Sequence, residues 1–288
     1  MEPKVYINGK LYPKDEAKIS VFDHGLLYGD GVFEGIRCYN GNIFKLSEHI
    51  DRLYDSAKAI SMKTQLARNE LKDAVINTLK ANNLKDSYIR LIVTRGVGKL
   101  GLNPFLCAES QVIIITDFIQ LYSKELYEKG LDAIIVPTIR NHSDALNPNV
   151  KSLNYLNNIL AKIECINAGA TEGIMLNKDG YVAEGTGDNI FIVKDNGIVT
   201  PPTTAGILIG ITRNVVIELA NEAGMTVKEE QLTRDDLYNA DECFLTGTAA
   251  EIIPVVNLDG RKIASGRPGK ITFSLLKKYQ ELTTQSSA

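Results

Sequence analysis

Apolar residues recur along this chain with two different periods, and the changes from one period to the other mark out the elements. Near the start, "VYINGKLY" sets short apolar runs on either side of Asn8-Gly9. Both central positions of so tight a turn favour positive φ, so the stretch predicts a β-hairpin. Leu46, Ile50, Leu53, Ala57 and Ile60 then fall at helical spacing, as do Leu71, Ala74, Val75, Thr78 and Leu79. "YIRLIVTRG" and "QVIIITDF" predict strands; a mixed stretch, "IQLYSKELYEKG", separates them from another strand in "LDAIIVP". Beyond Lys151 the pattern predicts a helix, hairpins at "NKDG" and "LDG", a helix from Thr212 to about Ala223 and a last helix after Gly269.

Elements of both kinds interleave, with no fixed repeat and no low-complexity tract, which predicts a mixed α/β chain (α/β or α+β). A length of 288 residues suits two domains. The mixed stretch sets the division: a smaller N-terminal α/β domain over 1–117, a linker over 118–130 and a larger C-terminal domain over 131–288.

Composition then removes several classes of function. A formal charge of -3, with acids and bases interspersed, offers no field for nucleic acid, and the absence of Trp removes one stacking residue. No apolar run nears the ~18 residues of a membrane span. "QVIIITDFI" is strand-length and broken by Asp117, so a soluble chain with no membrane partner is expected. Cys38, Cys107, Cys165 and Cys243 are scattered, without Cys-x-x-Cys spacing and with no secretory leader before "MEPKVYINGK"; reduced thiols in the cytoplasm fit this usage. His24, His49 and His142 lie far apart, so no metal site is expected.

Taken residue by residue, the candidate chemistry stays open. "GVGKLG" at 96–101 matches Gly-x-Gly-x-x-Gly, but "LNPF" follows where a dinucleotide site needs a helix, so it is read as a loop. The helix start at Gly210 and Thr212 suits an anion, or Thr212 merely caps its own helix. Tyr88 and Arg90 share one strand face, either to grip a carboxylate or as a solvated surface. Glu184, ahead of Gly185 and Gly187, is a close-approach acid or a wet turn residue, and the small residues of "TGTAAE" at 246–251 are an amide nest or tight packing. Lys151, before its predicted helix, is by itself an ordinary surface lysine.

Together these pieces resemble one family, the branched-chain amino acid aminotransferases, in the class IV group that also holds D-amino acid aminotransferase and aminodeoxychorismate lyase. The resemblance runs nearly end to end, through "FDHGLLYGDGVFEGIRCY" (22–39), "EHIDRLYDSAK" (48–58), "NVKSLNYLNN" (149–158), "EGTGDNIF" (184–191), "GITR" (210–213) and "GTAAEI" (247–252). It implies the two-domain fold of the D-amino acid aminotransferase-like enzymes, with Lys151 on the larger domain, and pyridoxal 5'-phosphate as cofactor.

By the same resemblance Lys151 is the catalytic lysine that forms the cofactor imine and carries a proton from Cα, which suits a partly desolvated amine. Tyr155 would bond the cofactor's phenolic oxygen, Glu184 would keep its pyridine nitrogen protonated, and Leu208 would pack on the ring. Arg52, Ile211, Thr212 and Thr248 would clamp the phosphate, with Gly210 and Asn189 completing the cofactor set. Phe33, Gly35, Arg37, Tyr88, Ala249 and Ala250 would surround the substrate. Arg90 would take the distal carboxylate of glutamate. Tyr28 and the loop from Leu100 to Leu102 would come from a neighbouring subunit, which implies a homodimer or a higher homo-oligomer.

The implied reaction moves the amino group of leucine, isoleucine or valine to 2-oxoglutarate. D-amino acid transamination and the lyase reaction are alternatives on the same fold, although the former subgroup reads "YEVVKVY" where this chain has "FEGIRCY". Asp188, where many members have Glu, and Ile209, where some have Pro, depart from the pattern and bear on loop geometry.

Overall fold

A computed structural model describes residues 2–284. The chain divides into two compact units. The first runs to Ile119 and takes in Val150–Asn154. Its six-stranded sheet has the order β2-β1-β6-β5-β3-β4 and is antiparallel throughout, formed by β1 (Lys4–Ile7), β2 (Lys10–Pro13), β3 (Gly31–Tyr39), β4 (Asn42–Ile43), β5 (Ser87–Thr94) and β6 (Gln111–Asp117). The β1–β2 hairpin turns at Asn8 and Gly9, with φ of 48° and 88°, as their positive-φ tolerance requires.

Helices α1 (His24–Tyr28), α2 (Leu46–Ala59) and α3 (Arg68–Ala81) belong to this unit. On β5 the alternation sorts the two faces. Ile89, Leu91 and Val93 are fully buried against Ile50, Leu53 and Ala57 of α2 and Leu71 and Val75 of α3. Each such side chain contributes about 1.5–3 kcal/mol of transfer free energy. Tyr88, Arg90 and Ile92 are left half-buried on the other face.

The second unit comprises Gln120–Asn149 and the chain from Tyr155 onward. Its nine-stranded sheet has the order β12-β11-β10-β13-β14-β7-β8-β9, with β15 beside β14. The strands are β7 (Leu131–Ile135), β8 (Glu172–Leu176), β9 (Val182–Gly185), β10 (Asn189–Lys194), β11 (Gly197–Thr200), β12 (Val227–Glu229), β13 (Glu242–Gly247), β14 (Glu251–Leu258) and β15 (Arg261–Lys262). Helices α4 (Lys124–Lys129), α5 (Leu156–Asn167), α6 (Ile211–Glu222), α7 (Arg234–Tyr238) and α8 (Lys270–Thr284) complete it. β7 and β8 pair in parallel, which forbids a tight turn and requires a long connection; that connection carries α5. Ile174, Val182, Ile190, Leu245 and Ile253 form the centre of this unit's core.

The structure parts from the expected division in two places. The first unit ends at Ile119, and α4 belongs wholly to the second, so most of the stretch expected as a linker is an integral part of that unit. Lys151, expected on the larger unit, folds with the first, because backbone hydrogen bonds tie its segment to β3. Among the described residues no helix is long and apolar enough to cross a membrane, and no group of three or more His, Cys, Asp or Glu side chains is placed to hold a metal.

Candidate active site

In the first unit, Val150–Asn154 runs as an extended strap beside β3. Phe33 donates its N–H to the carbonyl of Lys151 at 3.0 Å, and Leu153 donates to that of Gly31 at 2.9 Å. The amide of Lys151 donates to the Ser56 hydroxyl on α2 at 3.1 Å. A lysine whose backbone is held at both N–H and C=O is not the loose surface residue its composition alone suggests. Its Nζ lies 4.7 Å from the centre of the Phe33 ring, and the residue is half-buried.

On the other face of β3, Glu34 is completely buried. Arg52 reaches it with Nε at 2.7 Å and Nη2 at 2.8 Å, while His49 Nδ1 meets the second oxygen at 2.8 Å. Burial by itself would push the Glu34 carboxyl up; the Arg52 guanidinium and His49, with their hydrogen bonds, outweigh it and hold it at about 2. His49 moves down from its ordinary value, mainly through burial and against the pull of Glu34, with the cations of Arg52 and Lys151 adding to the effect. Arg52 therefore stands as a guanidinium fixed from behind by a carboxylate. Glu34 and His49 escaped the sequence reading. The available signal was the alternation in "GVFEGIR", which puts Glu34 on the core face next to Phe33 on the opposite one.

That opposite face gathers the expected substrate residues. Gly35 pairs with Arg90 and Arg37 with Tyr88 across β3 and β5, so Phe33, Gly35, Arg37, Tyr88 and Arg90 share it. The Arg90 guanidinium carbon sits 4.6 Å from the Phe33 ring centre and 5.4 Å from that of Tyr88. A Cβ on Gly35 would lie 2.0 Å from the Tyr88 hydroxyl, so the phenol leans over the one residue that makes room for it. Tyr28, Leu100 and Leu102 form a separate, exposed group of this unit, 37%, 71% and 82% accessible, in which the Tyr28 hydroxyl accepts the Gly101 N–H at 2.9 Å.

In the second unit, Glu184 on β9 is buried beneath three donors. Arg140 Nε reaches Oε1 at 2.7 Å; the Leu208 N–H reaches Oε2 at 3.0 Å and Asn189 Nδ2 reaches it at 3.3 Å. The carboxylate that could have been a wet turn residue is instead a fixed, paired acceptor. Arg140 was not foreseen, because its partner lies 44 residues away in sequence.

Helix α6 begins at Ile211 with Gly210 as N-cap and no side-chain hydrogen bond at the cap. Thr212 thus lies within the first turn and does not cap its own helix. The leading N–H groups have no acceptor within the helix and carry the positive end of its dipole. A Cβ on Gly210 would fall 2.0 Å from Asn189 Oδ1, which accounts for glycine at that turn. Thr248, Ala249 and Ala250 make the tight connection between Gly247 of β13 and Glu251 of β14; the Ala250 carbonyl accepts the Tyr127 hydroxyl at 2.9 Å. Asp188 packs so closely on Gly247 that a Cβ there would meet its Oδ1 at 1.9 Å. Tyr155 is the residue preceding α5, its carbonyl accepting the first bond of that helix from Ile159 at 3.0 Å.

Each unit carries its own polar groups. The first holds an anchored amine, a braced guanidinium and an aromatic face with two further arginines, Arg37 and Arg90. The second holds a buried, oriented carboxylate and an uncapped helix start with hydroxyls nearby in sequence. An anchored amine can take an aldehyde, a buried carboxylate a basic ring nitrogen, and an open helix start a phosphate.

Comparison with known proteins points the same way. The family model described as amino-transferase class IV matches residues 31–258. A Methanocaldococcus jannaschii protein is 54% identical over 282 residues, covering 98% of this chain and 97% of its own. The branched-chain amino acid aminotransferase of Escherichia coli superposes with a TM-score of 0.96 at 37% identity, covering 100% of this chain and 97% of that one. The T.th. branched-chain amino acid aminotransferase complexed with N-(5'-phosphopyridoxyl)-L-glutamate superposes with a TM-score of 0.93 at 38% identity, covering 99% and 95%, and has also been solved with 4-methylvaleric acid.

Proposed function

The chain belongs to the class IV aminotransferases, and from that premise we propose that it transfers the amino group of branched-chain L-amino acids to 2-oxoglutarate with pyridoxal 5'-phosphate, yielding the branched 2-oxo acids and L-glutamate. The observation that carries this reading is the shared face of Phe33, Gly35, Tyr88 and Arg90 in the unit that anchors Lys151. It offers an aromatic wall for an aliphatic side chain, with Arg90 beside it for a distal carboxylate, suiting the two partners of the exchange. A relative solved with both a glutamate adduct and 4-methylvaleric acid supports the same pair.

When bound, the cofactor supplies an electron sink for negative charge developing at the amino acid's Cα. Lys151 would hold the cofactor through its aldehyde, and its amine, when free, would carry the proton at the amino acid's Cα. Glu184 would keep a proton on the ring nitrogen, since Arg140, Asn189 and the Leu208 amide hold it as an acceptor. Tyr155 would donate to the cofactor's phenolic oxygen and Leu208 would cover its ring. Arg52, the amides of Ile211 and Thr212, and the Thr212 and Thr248 hydroxyls would hold the phosphate. Arg37 and the Ala249 and Ala250 amides take the α-carboxylate, and Arg90 engages the distal carboxylate of glutamate.

The working form is a homodimer in the cytoplasm. Exposed Tyr28, Leu100, Leu102 and Phe105 support a covering second copy, and four free cysteines accord with a reducing compartment.

A panel of L- and D-amino acids, added singly to the cofactor-loaded protein and followed by visible absorption, tests the reading. L-leucine, L-isoleucine, L-valine and L-glutamate should discharge the absorbance, and 2-oxoglutarate should restore it. Discharge by D-amino acids alone, or turnover of aminodeoxychorismate indifferent to 2-oxoglutarate, would replace it with one of the alternatives.

A further inference from the structure

Arg140 lies past the end of β7, and its backbone is fixed by donation to the Leu176 carbonyl on β8 at 2.8 Å. Its side chain is buried, with 7% exposure, and its donors are divided with purpose. Nε goes to Glu184 Oε1 at 2.7 Å, while Nη1 is shared between the side-chain oxygens of Asn157 at 3.2 Å and Asn158 at 3.3 Å, both on the first turn of α5. Those amides are themselves committed. Asn157 Nδ2 donates to the Ile139 carbonyl at 2.8 Å and its Oδ1 also accepts the Asn141 N–H at 3.1 Å; Asn158 Nδ2 donates to the Thr186 carbonyl at 2.8 Å. A rigid planar fork therefore joins β8, β9 and the start of α5, immediately after Tyr155.

A buried carboxyl group without a counter-charge neutralises, and a neutral acid presents a hydroxyl where an acceptor is needed. Amide donors alone, such as Asn189 and Leu208, hold direction but bring no compensating charge. Arg140 is the cation this carboxylate meets among the described ion pairs of the second unit.

We propose that Arg140 is a positioning residue for the reaction: it keeps Glu184 ionised and correctly aimed for the cofactor's ring nitrogen, and it couples that carboxylate to the turn carrying Tyr155. The proposal rests on the cofactor assignment made above. It predicts that Arg140 acts through Glu184, so the two residues should not contribute independently.

The experiment is a double-mutant cycle on the full chain with Arg140→Met, Glu184→Gln and the pair, each titrated with pyridoxal 5'-phosphate and each loaded form mixed with L-leucine. Arg140→Met should slow the half-reaction about 10- to 100-fold while changing the KM for leucine less than about 2-fold, and should shift the visible band of the bound cofactor. In the Glu184→Gln background the same substitution should cost less than about 2-fold in both rate and cofactor affinity. Arg140→Lys, which keeps the charge and loses the fork, should recover part of the rate and the wild-type band; it also serves if the Met variant does not fold. Equal losses in both backgrounds, or an unshifted band with full rate in Arg140→Met, would overturn the role. Failure of wild type to react with leucine would instead refute the substrate reading, while the affinity cycle with cofactor alone would still decide the role of Arg140.

Discussion

Replacing Glu34 with Gln isolates the electrostatic brace behind Arg52. Glu34 is fully buried, and its carboxyl is held at about 2 against an ordinary 4.5. At 1.36 kcal/mol per pH unit, that difference contributes about 3 kcal/mol to folding at neutral pH. The folded value lies below the unfolded one, so the contribution is present in full above 4.5 and disappears as the pH falls through about 2. A second route gives a similar size, since removing one partner of a buried ion pair costs about 3–5 kcal/mol. His49 does not compensate, because burial and the Arg52 and Lys151 cations all continue to disfavour its charged form.

The assay is urea unfolding of both proteins by far-ultraviolet circular dichroism at a series of pH values from 7 to 2. Glu34→Gln should be less stable by about 3 kcal/mol at pH 6 to 7, and the gap should close as the pH approaches 2. A gap that does not vary with pH, or no gap at pH 7, would refute the claim that ionised Glu34 is stabilised by Arg52 and His49.

Three further outcomes are expected. Arg90→Ala should reduce kcat/KM for glutamate about 10- to 100-fold and that for leucine much less; equal losses would remove its role in choosing between them. Gly35→Ala places a methyl 2.0 Å from the Tyr88 hydroxyl, so it should raise KM for leucine while leaving cofactor uptake unchanged, and a normal KM would show that the phenol moves freely aside. Of the four cysteines, Cys107 alone should react with iodoacetamide in the native protein: Cys38, Cys165 and Cys243 are buried, and burial pushes the Cys243 thiol up to about 12, so labelling of Cys243 before unfolding would contradict its placement.

Local pattern made much of the fold legible. The Asn8-Gly9 turn, α2, α3, β5, β6, β7, α5, α6 and α8 all stand where period and turn chemistry put them, because each carries its signal within a few residues. The expected helix from Thr212 to about Ala223 differs from α6, Ile211–Glu222, by one residue at each end. The hairpin expected at "NKDG" joins β8 to β9, whereas β10 was hidden for a physical reason: the first five of its six residues are buried, so no alternation marks it.

The same distinction governs the site. Lys151, Tyr155 and Glu184 sit in short motifs that a resemblance can carry. Glu34, His49 and Arg140 matter through partners 15 to 44 residues away, and only folding brings those together. The placement of Lys151 with the first unit is likewise a matter of tertiary hydrogen bonds to Phe33 and Ser56, invisible in the flanking sequence.

The most direct measurement is borohydride reduction of the protein loaded with pyridoxal 5'-phosphate, followed by peptide mass mapping. The account predicts a stable phosphopyridoxyl group on Lys151 and on no other lysine, with the L-leucine response of the visible band lost in Lys151→Ala. A label on a different lysine, or a Lys151→Ala protein that keeps both the band and its response, would contradict it.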